Sequence, residues 1–72
     1  MERKEFDFEV AKRIKKLREE VKMTQKVLAE KAGLSEQMIS LIETGNRGMS
    51  LYSLNNIAGA LGKTCEFCIF LY

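Results

Sequence analysis

Apolar residues recur at helical spacing in separate stretches of this chain, and the first such stretch predicts a helix from about Phe8 to Val21. Asp7 is expected to cap this helix, and residues 1–7 are expected to form a flexible start. Its apolar stripe is spaced i, i+4, i+7 and i+11 and consists of Val10, Ile14, Leu17 and Val21. We expect this helix to act as scaffold.

Two shorter helices joined by a tight turn are predicted next. Thr24 can cap a helix that ends at Ala32, and Gly33 can adopt the left-handed conformation that stops it. Ser35 can cap the following helix, predicted over residues 35–44 and stopped by Gly45. The inward-facing positions are Leu28, Ala29 and Ala32 in the first of these helices and Ile39 and Ile42 in the second. Two helices this close in sequence must cross steeply, so the second is expected to protrude from the surface.

A fourth helix is predicted from Leu51 to Leu61, with Ser50 as its cap and Gly62 as its stop. Its apolar positions are Leu51, Leu54, Ile57, Ala58 and Leu61. Residues 63–72 are predicted to form a β-strand rather than a helix, because they are rich in apolar and aromatic residues, which favour strands. The expected fold is therefore mainly α, a compact helical core over residues 8–62 followed by a terminal strand.

The second and third helices carry a pattern that resembles the helix-turn-helix of the lambdoid repressor and Cro family, also called XRE-like. The resemblance extends from about Val10 to Gly62 and is densest at Thr24-Gln25, Leu28-Ala29, Ala32-Gly33-Leu34-Ser35, Ile39-Ser40, Ile42-Glu43 and Gly45. It implies a four-helix repressor-like domain that binds double-stranded DNA and inserts helix 35–44 into the major groove. A groove about 12 Å wide admits one such helix.

The resemblance also implies roles for individual residues. Base contacts are expected from Glu36, Gln37, Ser40 and Leu41, phosphate contacts from Gln25, Ser35, Asn46 and Arg47, and a partly buried ion pair from Arg18 and Glu43. Gln37 is the best candidate for base recognition, since a glutamine amide pairs with adenine N6 and N7. Glu36 can accept from cytosine N4, but a helix N-terminus favours glutamate for local reasons too. Leu41 can contact a thymine methyl group or simply be an exposed apolar residue.

Composition limits the size and class of the molecule. Seventy-two residues with 46% hydrophobic and 31% charged residues indicate one globular domain without a membrane-spanning run. The net charge is only +2, yet the cations concentrate in the first two thirds of the chain. They include Lys12, Arg13, Lys15, Lys16, Arg18, Lys22, Lys26, Lys31 and Arg47. The alternative interpretation of the cluster on the first helix is an ordinary solvated face.

Neither a metal site nor catalysis is expected. The chain has two cysteines and no histidine, whereas structural zinc generally needs four ligands and a cysteine nucleophile needs a nearby base. Cys65 and Cys68, three apart on a strand, would face opposite sides. No cofactor is predicted. The first ten residues lack the apolar core of a secretory signal, which predicts a cytoplasmic protein.

The predicted terminal strand leads us to expect a dimer. A lone strand needs a partner for its backbone groups, and twofold pairing with the same strand of a second copy supplies one. The residues expected to dimerise are Phe67, Ile69, Phe70, Leu71 and Tyr72. The alternatives are a fifth helix, which relatives more often have here, or an edge that recruits another protein such as a toxin.

The sequence thus favours a dimeric, sequence-specific transcriptional regulator that represses by occupying an operator with two half-sites. An antitoxin that represses its own operon is a more specific version of the same hypothesis. A protein-interaction module with the same fold is the rival from a different class, and an enzyme is not expected.

Overall fold

The computed structural model describes residues 3–46, 48 and 50–63, with only the backbone of residues 3 and 4. Its four helices are α1 (Arg3–Glu20), α2 (Gln25–Ala32), α3 (Glu36–Glu43) and α4 (Leu51–Ala60). The prediction of a mainly α, four-helix fold is confirmed. Residues 64–72 of the predicted strand, including Cys65 and Cys68, lie outside the described residues, whereas Lys63 belongs to the turn after α4, where its amide donates to the Ala58 carbonyl at 2.8 Å.

The first helix begins earlier than the sequence pattern predicted. It starts at Arg3, so a start at Phe8 with Asp7 as the cap was wrong, and residues 3–7 of the expected flexible start are helical. Nothing in this segment interrupts a helix, because it contains no glycine and the chain contains no proline. Phe8 also lies against the turn after α3, which supports the helix from the side.

The end of α1 departs from the predicted apolar stripe. Val10, Ile14 and Leu17 are buried, but Val21 is 48% exposed. The helix stops at Glu20, and Lys22 adopts a φ of 56°, so the chain turns away before Val21 can continue the stripe. Ala11, which the spacing did not single out, is buried.

The helix pair α2 and α3 forms as the sequence predicted. The hydroxyl of Thr24 accepts a hydrogen bond from the Val27 amide at 3.1 Å, and that of Ser35 accepts one from the Met38 amide at 3.0 Å. Gly33 ends α2 with a φ of 70°, and the Leu34 amide then donates to the Ala29 carbonyl at 2.9 Å. Two N-caps and one left-handed glycine thus define the turn between the helices.

One apolar core joins the helices, with α2 packed against α3 and α4, and α1 packed against α3. Its largest fully buried side chains are Ile14, Leu28, Ile39, Ile42, Ile57 and Val10. In α4, Leu54, Ile57 and Ala58 are buried as predicted, as is Leu61 just beyond the helix, but Leu51 is 72% exposed. Leu51 is the first residue of its helix. No helix in the described part of the chain is long and apolar enough to cross a membrane.

Candidate nucleic-acid interface

Helix α3 divides into a buried side and an exposed side. Ile39, Ile42 and Glu43 are buried, and the residues predicted to contact bases lie elsewhere on the helix surface. Glu36, Gln37 and Leu41 are exposed and Ser40 is half-buried. At 3.6 residues per turn these four positions fall within an arc of about 140°. The structure therefore brings the four predicted base-contacting residues to one face.

A shallow concavity of about 270 Å³ lies on this face, lined by Ser35, Gln37, Met38 and Leu41. Met38, which the sequence pattern did not single out, packs partly against the core and lines this concavity together with Gln37. An amide next to apolar carbon atoms is a suitable surface for a base edge and its methyl group.

The N-terminus of α2 is electrostatically suited to an anion. Its first turn contains no acidic residue, and it carries Lys26, which is exposed. The N-terminal amides of a helix point outward and form the positive end of its dipole. Gln25, the first residue of α2, is half-buried, and its Nε2 donates to Oε1 of Glu43 at 3.1 Å. This bond orients the side chain and leaves the second Nε2 hydrogen for another acceptor.

Glu43 and Arg18 form a buried ion pair with two parallel hydrogen bonds. Arg18 donates from Nε to Glu43 Oε2 at 2.7 Å and from Nη2 to Glu43 Oε1 at 3.0 Å. Its Nη1 donates to the Met23 carbonyl at 2.9 Å. The Glu43 side chain is only 2% exposed and that of Arg18 12%. Their hydrogen bond raises the pKa of Arg18 despite the opposing effect of burial, so the guanidinium stays charged.

This cluster ties three parts of the fold together. Arg18 comes from the last turn of α1, Gln25 from the start of α2 and Glu43 from the end of α3. Among the described residues, no buried side-chain nitrogen or oxygen lacks a hydrogen-bond partner. The ion pair was implied by resemblance, but the participation of Gln25 and of the Met23 carbonyl was missed. Gln25 and Glu43 are 18 residues apart and meet only through packing, which no local pattern indicates. The Met23 carbonyl lies five residues after Arg18, in the turn that ends α1.

Two further residues predicted to contact phosphate flank α3, with Ser35 before it and Asn46 after it. Asn46 is exposed, and its Nδ2 donates to the Thr44 hydroxyl at 3.1 Å. Ser35, at the start of α3, is exposed and uses its hydroxyl as the N-cap. Arg47 and the tail residues predicted to dimerise lie outside the described residues.

Comparison with known proteins agrees with this geometry. The helix-turn-helix family model matches residues 14–67, more than half of the chain. The immunity repressor protein of Bacillus phage phi105 is 49% identical over 53 residues, which are 74% of this chain and 37% of that protein. The chain thus spans well under half the length of this relative.

Solved structures share the fold over most of the chain. A mutant of the restriction-modification controller protein C.Esp1396I is 33% identical, with a TM-score of 0.85 over 92% of this chain and 86% of that one. The controller protein C.AhdI from Aeromonas hydrophila is 26% identical, with a TM-score of 0.84 over 86% and 94%. A helix-turn-helix family transcriptional regulator from Vibrio cholerae is 25% identical, with a TM-score of 0.87 over 94% and 38%.

The polar face on α3, the capped turn before it and the matching family model together mean that this chain belongs to the XRE-like helix-turn-helix family of DNA-binding regulators.

Proposed function

We propose that the protein is a sequence-specific transcriptional repressor that inserts α3 into the major groove of double-stranded DNA. The observation that carries this proposal is the outward face of Glu36, Gln37, Ser40 and Leu41 on a helix whose opposite side is buried. Gln37 reads an adenine through its amide, and the apolar surface of Leu41 and Met38 receives a thymine methyl group. Glu36 and Ser40 contact neighbouring bases.

Phosphate contacts on both sides of α3 set its depth and register in the groove. The α2 N-terminus meets one phosphate through its amides, the Gln25 side chain and Lys26. Ser35, Asn46 and Arg47 meet others close to the two ends of α3. The hydrogen bond between Gln25 and Glu43 supports this arrangement, because it links the phosphate-contacting N-terminus of α2 to the end of α3, the helix proposed to contact bases.

Two copies act together on one operator. The domain measures 31 × 24 × 20 Å, whereas successive major grooves on one side of DNA are about 34 Å apart. One copy of the chain has a single α3 helix to insert into a groove and therefore binds a single half-site. We propose a homodimer joined by residues 63–72, with Phe67, Ile69, Phe70, Leu71 and Tyr72 as the contact residues.

Binding to DNA duplexes at several salt concentrations tests the proposal. The chain is first used to select sequences from a random duplex pool, and affinity is then measured on the selected and a random duplex. We expect a palindromic selected site and a linear fall of log affinity with log salt, because each neutralised phosphate releases counterions. The selected site should be bound at least about a thousandfold more tightly than the random duplex.

Each failure has a distinct meaning. Steep salt dependence without any selected sequence would support DNA binding and reject sequence-specific repression. No affinity for either duplex at low salt would reject the DNA-binding function and favour the protein-interaction module.

A further inference from the structure

The turn that follows α3 is packed against an aromatic ring of α1. Gly45 has a φ of +78°, and a Cβ atom at this position would lie 2.9 Å from Cδ2 of Phe8, a distance that real Cβ atoms do not show. The same Cβ would lie 3.4 Å from the Phe8 Cα. The backbone of the turn therefore approaches the backbone of α1 closely, and the phenyl ring lies against the turn.

The phenyl ring is held from the α1 side. Five helical residues precede Phe8, so its backbone is fixed by helix in both directions rather than lying at a frayed end. The Lys12 ammonium lies 5.1 Å from the ring centroid, within the range of a cation–π interaction. Lys12 also forms an ion pair at the surface with Glu9, at 3.2 Å. Phe8 itself is 50% exposed, so the contacts with Lys12 and with the turn cover only part of its surface.

The turn on the other side of the contact is a closed hydrogen-bonded unit. The Gly45 amide donates to the Ile42 carbonyl at 3.1 Å and the Asn46 amide to the Leu41 carbonyl at 3.2 Å. Asn46 is further joined to Thr44 through its side chain. A displacement of Gly45 therefore displaces Asn46 with it. An open groove of about 540 Å³ runs between α1 and this turn, and both Phe8 and Asn46 line it.

We infer that Phe8 is a positioning residue for the phosphate contact that follows α3. The inference rests on the proposed function, in which Asn46 donates to a phosphate oxygen. The Phe8 ring sets the position of Gly45 against α1, and this position sets where the Asn46 amide points. The N-terminal half of α1, which touches no base in this arrangement, thereby contributes to DNA affinity through the turn.

Phe8→Ala tests the inference, with Phe6→Ala as the matched control. Phe6 is also an exposed phenylalanine of α1, but two positions along a helix correspond to a rotation of about 200°, which points it away from Phe8. We expect Phe8→Ala to weaken binding to the selected site and to a random duplex alike, by about tenfold, since a hydrogen bond to a charged group is lost. Phe6→Ala should bind like the wild type, and Phe8→Tyr, which keeps the ring, should restore the affinity.

A double-mutant cycle separates positioning from general destabilisation. Once Asn46→Ala has removed the contact, adding Phe8→Ala should cause little further loss, because both changes act on the same contact. Unfolding is measured for every variant, and binding is compared at a temperature where all are folded. If Phe8→Ala does not fold, Phe8→Leu replaces it, since it keeps apolar bulk without the flat ring.

The outcomes are distinguishable. If the wild-type protein binds DNA and the folded Phe8→Ala variant binds it with the same affinity, the positioning role of Phe8 is overturned but the proposed function is not. Additive losses from Phe8→Ala and Asn46→Ala also overturn it. A wild-type protein without affinity for DNA overturns the proposed function and this inference together.

Discussion

Glu43 is a carboxylate buried at the end of α3, and its three hydrogen bonds come from Arg18 and Gln25. Removing one partner of such a pair strands the other charge in the core, which costs about 3 to 5 kcal/mol. We therefore expect Arg18→Met and Glu43→Gln to lower the unfolding midpoint strongly, since 1 kcal/mol corresponds to about 4 to 8 °C in a domain of this size.

The control for this prediction is the surface pair of Glu9 and Lys12, whose side chains are 42% and 58% exposed. Glu9→Gln should change the free energy of unfolding by less than about 1 kcal/mol, because exposed ion pairs contribute little. Thermal melts of the three variants provide the measurement. Equal, small shifts in all of them would contradict the structural role of the buried pair.

Base reading and phosphate clamping should also separate at single residues. Gln37→Ala is expected to cost about 1 to 3 kcal/mol on the selected site and to relax preference at one base pair, with little change on random DNA. Arg47→Ala should weaken all duplexes alike and reduce the salt slope by about 1. Competition binding at several salt concentrations distinguishes them, and a uniform loss from Gln37→Ala would refute its role in base reading.

At the scale of the helices, the turn between α2 and α3 depends on the backbone of Gly33. Its φ of 70° is strained for any residue with a Cβ atom, although space for that atom is open. Gly33→Ala should therefore destabilise the domain by about 1 to 2 kcal/mol through conformation alone.

Gly59 is the matched control for this prediction, because it lies inside α4 and an added Cβ would also meet open space there. Gly59→Ala should stabilise the domain by about 0.5 to 1 kcal/mol, since alanine is the better helix former. Denaturant unfolding measures both changes. Opposite signs are expected, and a stabilised Gly33→Ala variant would show that the left-handed turn is not required.

At the scale of the whole molecule, the proposed dimer depends on the residues after α4. Truncation after Gly62 removes the segment proposed to join two copies. The shortened chain should sediment as a monomer and lose most of its affinity for a two-half-site operator, because one reading helix then binds alone. A single half-site serves as the control and should be bound equally by both forms. A truncated chain that still sediments as a dimer would disprove the role of the tail.

The sequence alone determined the local features of the fold, namely helix caps, turns and the apolar face of each helix. The caps at Thr24, Ser35 and Ser50 and the left-handed Gly33 depend on neighbouring backbone groups, so short patterns predicted them correctly. The apolar spacing likewise predicted most of the core, since period and face are properties of one helix. Resemblance to a family, rather than any local pattern, suggested that Arg18 and Glu43 form a pair.

The tertiary structure decided what depends on distant contacts. The exposure of Val21 and Leu51 shows where the apolar core ends, which the spacing of apolar residues alone did not predict. The hydrogen bond from Gln25 to Glu43 and the approach of Phe8 to Gly45 join residues far apart in the chain. The spacing of residues along one helix does not predict such contacts, because they depend on how the helices pack against one another.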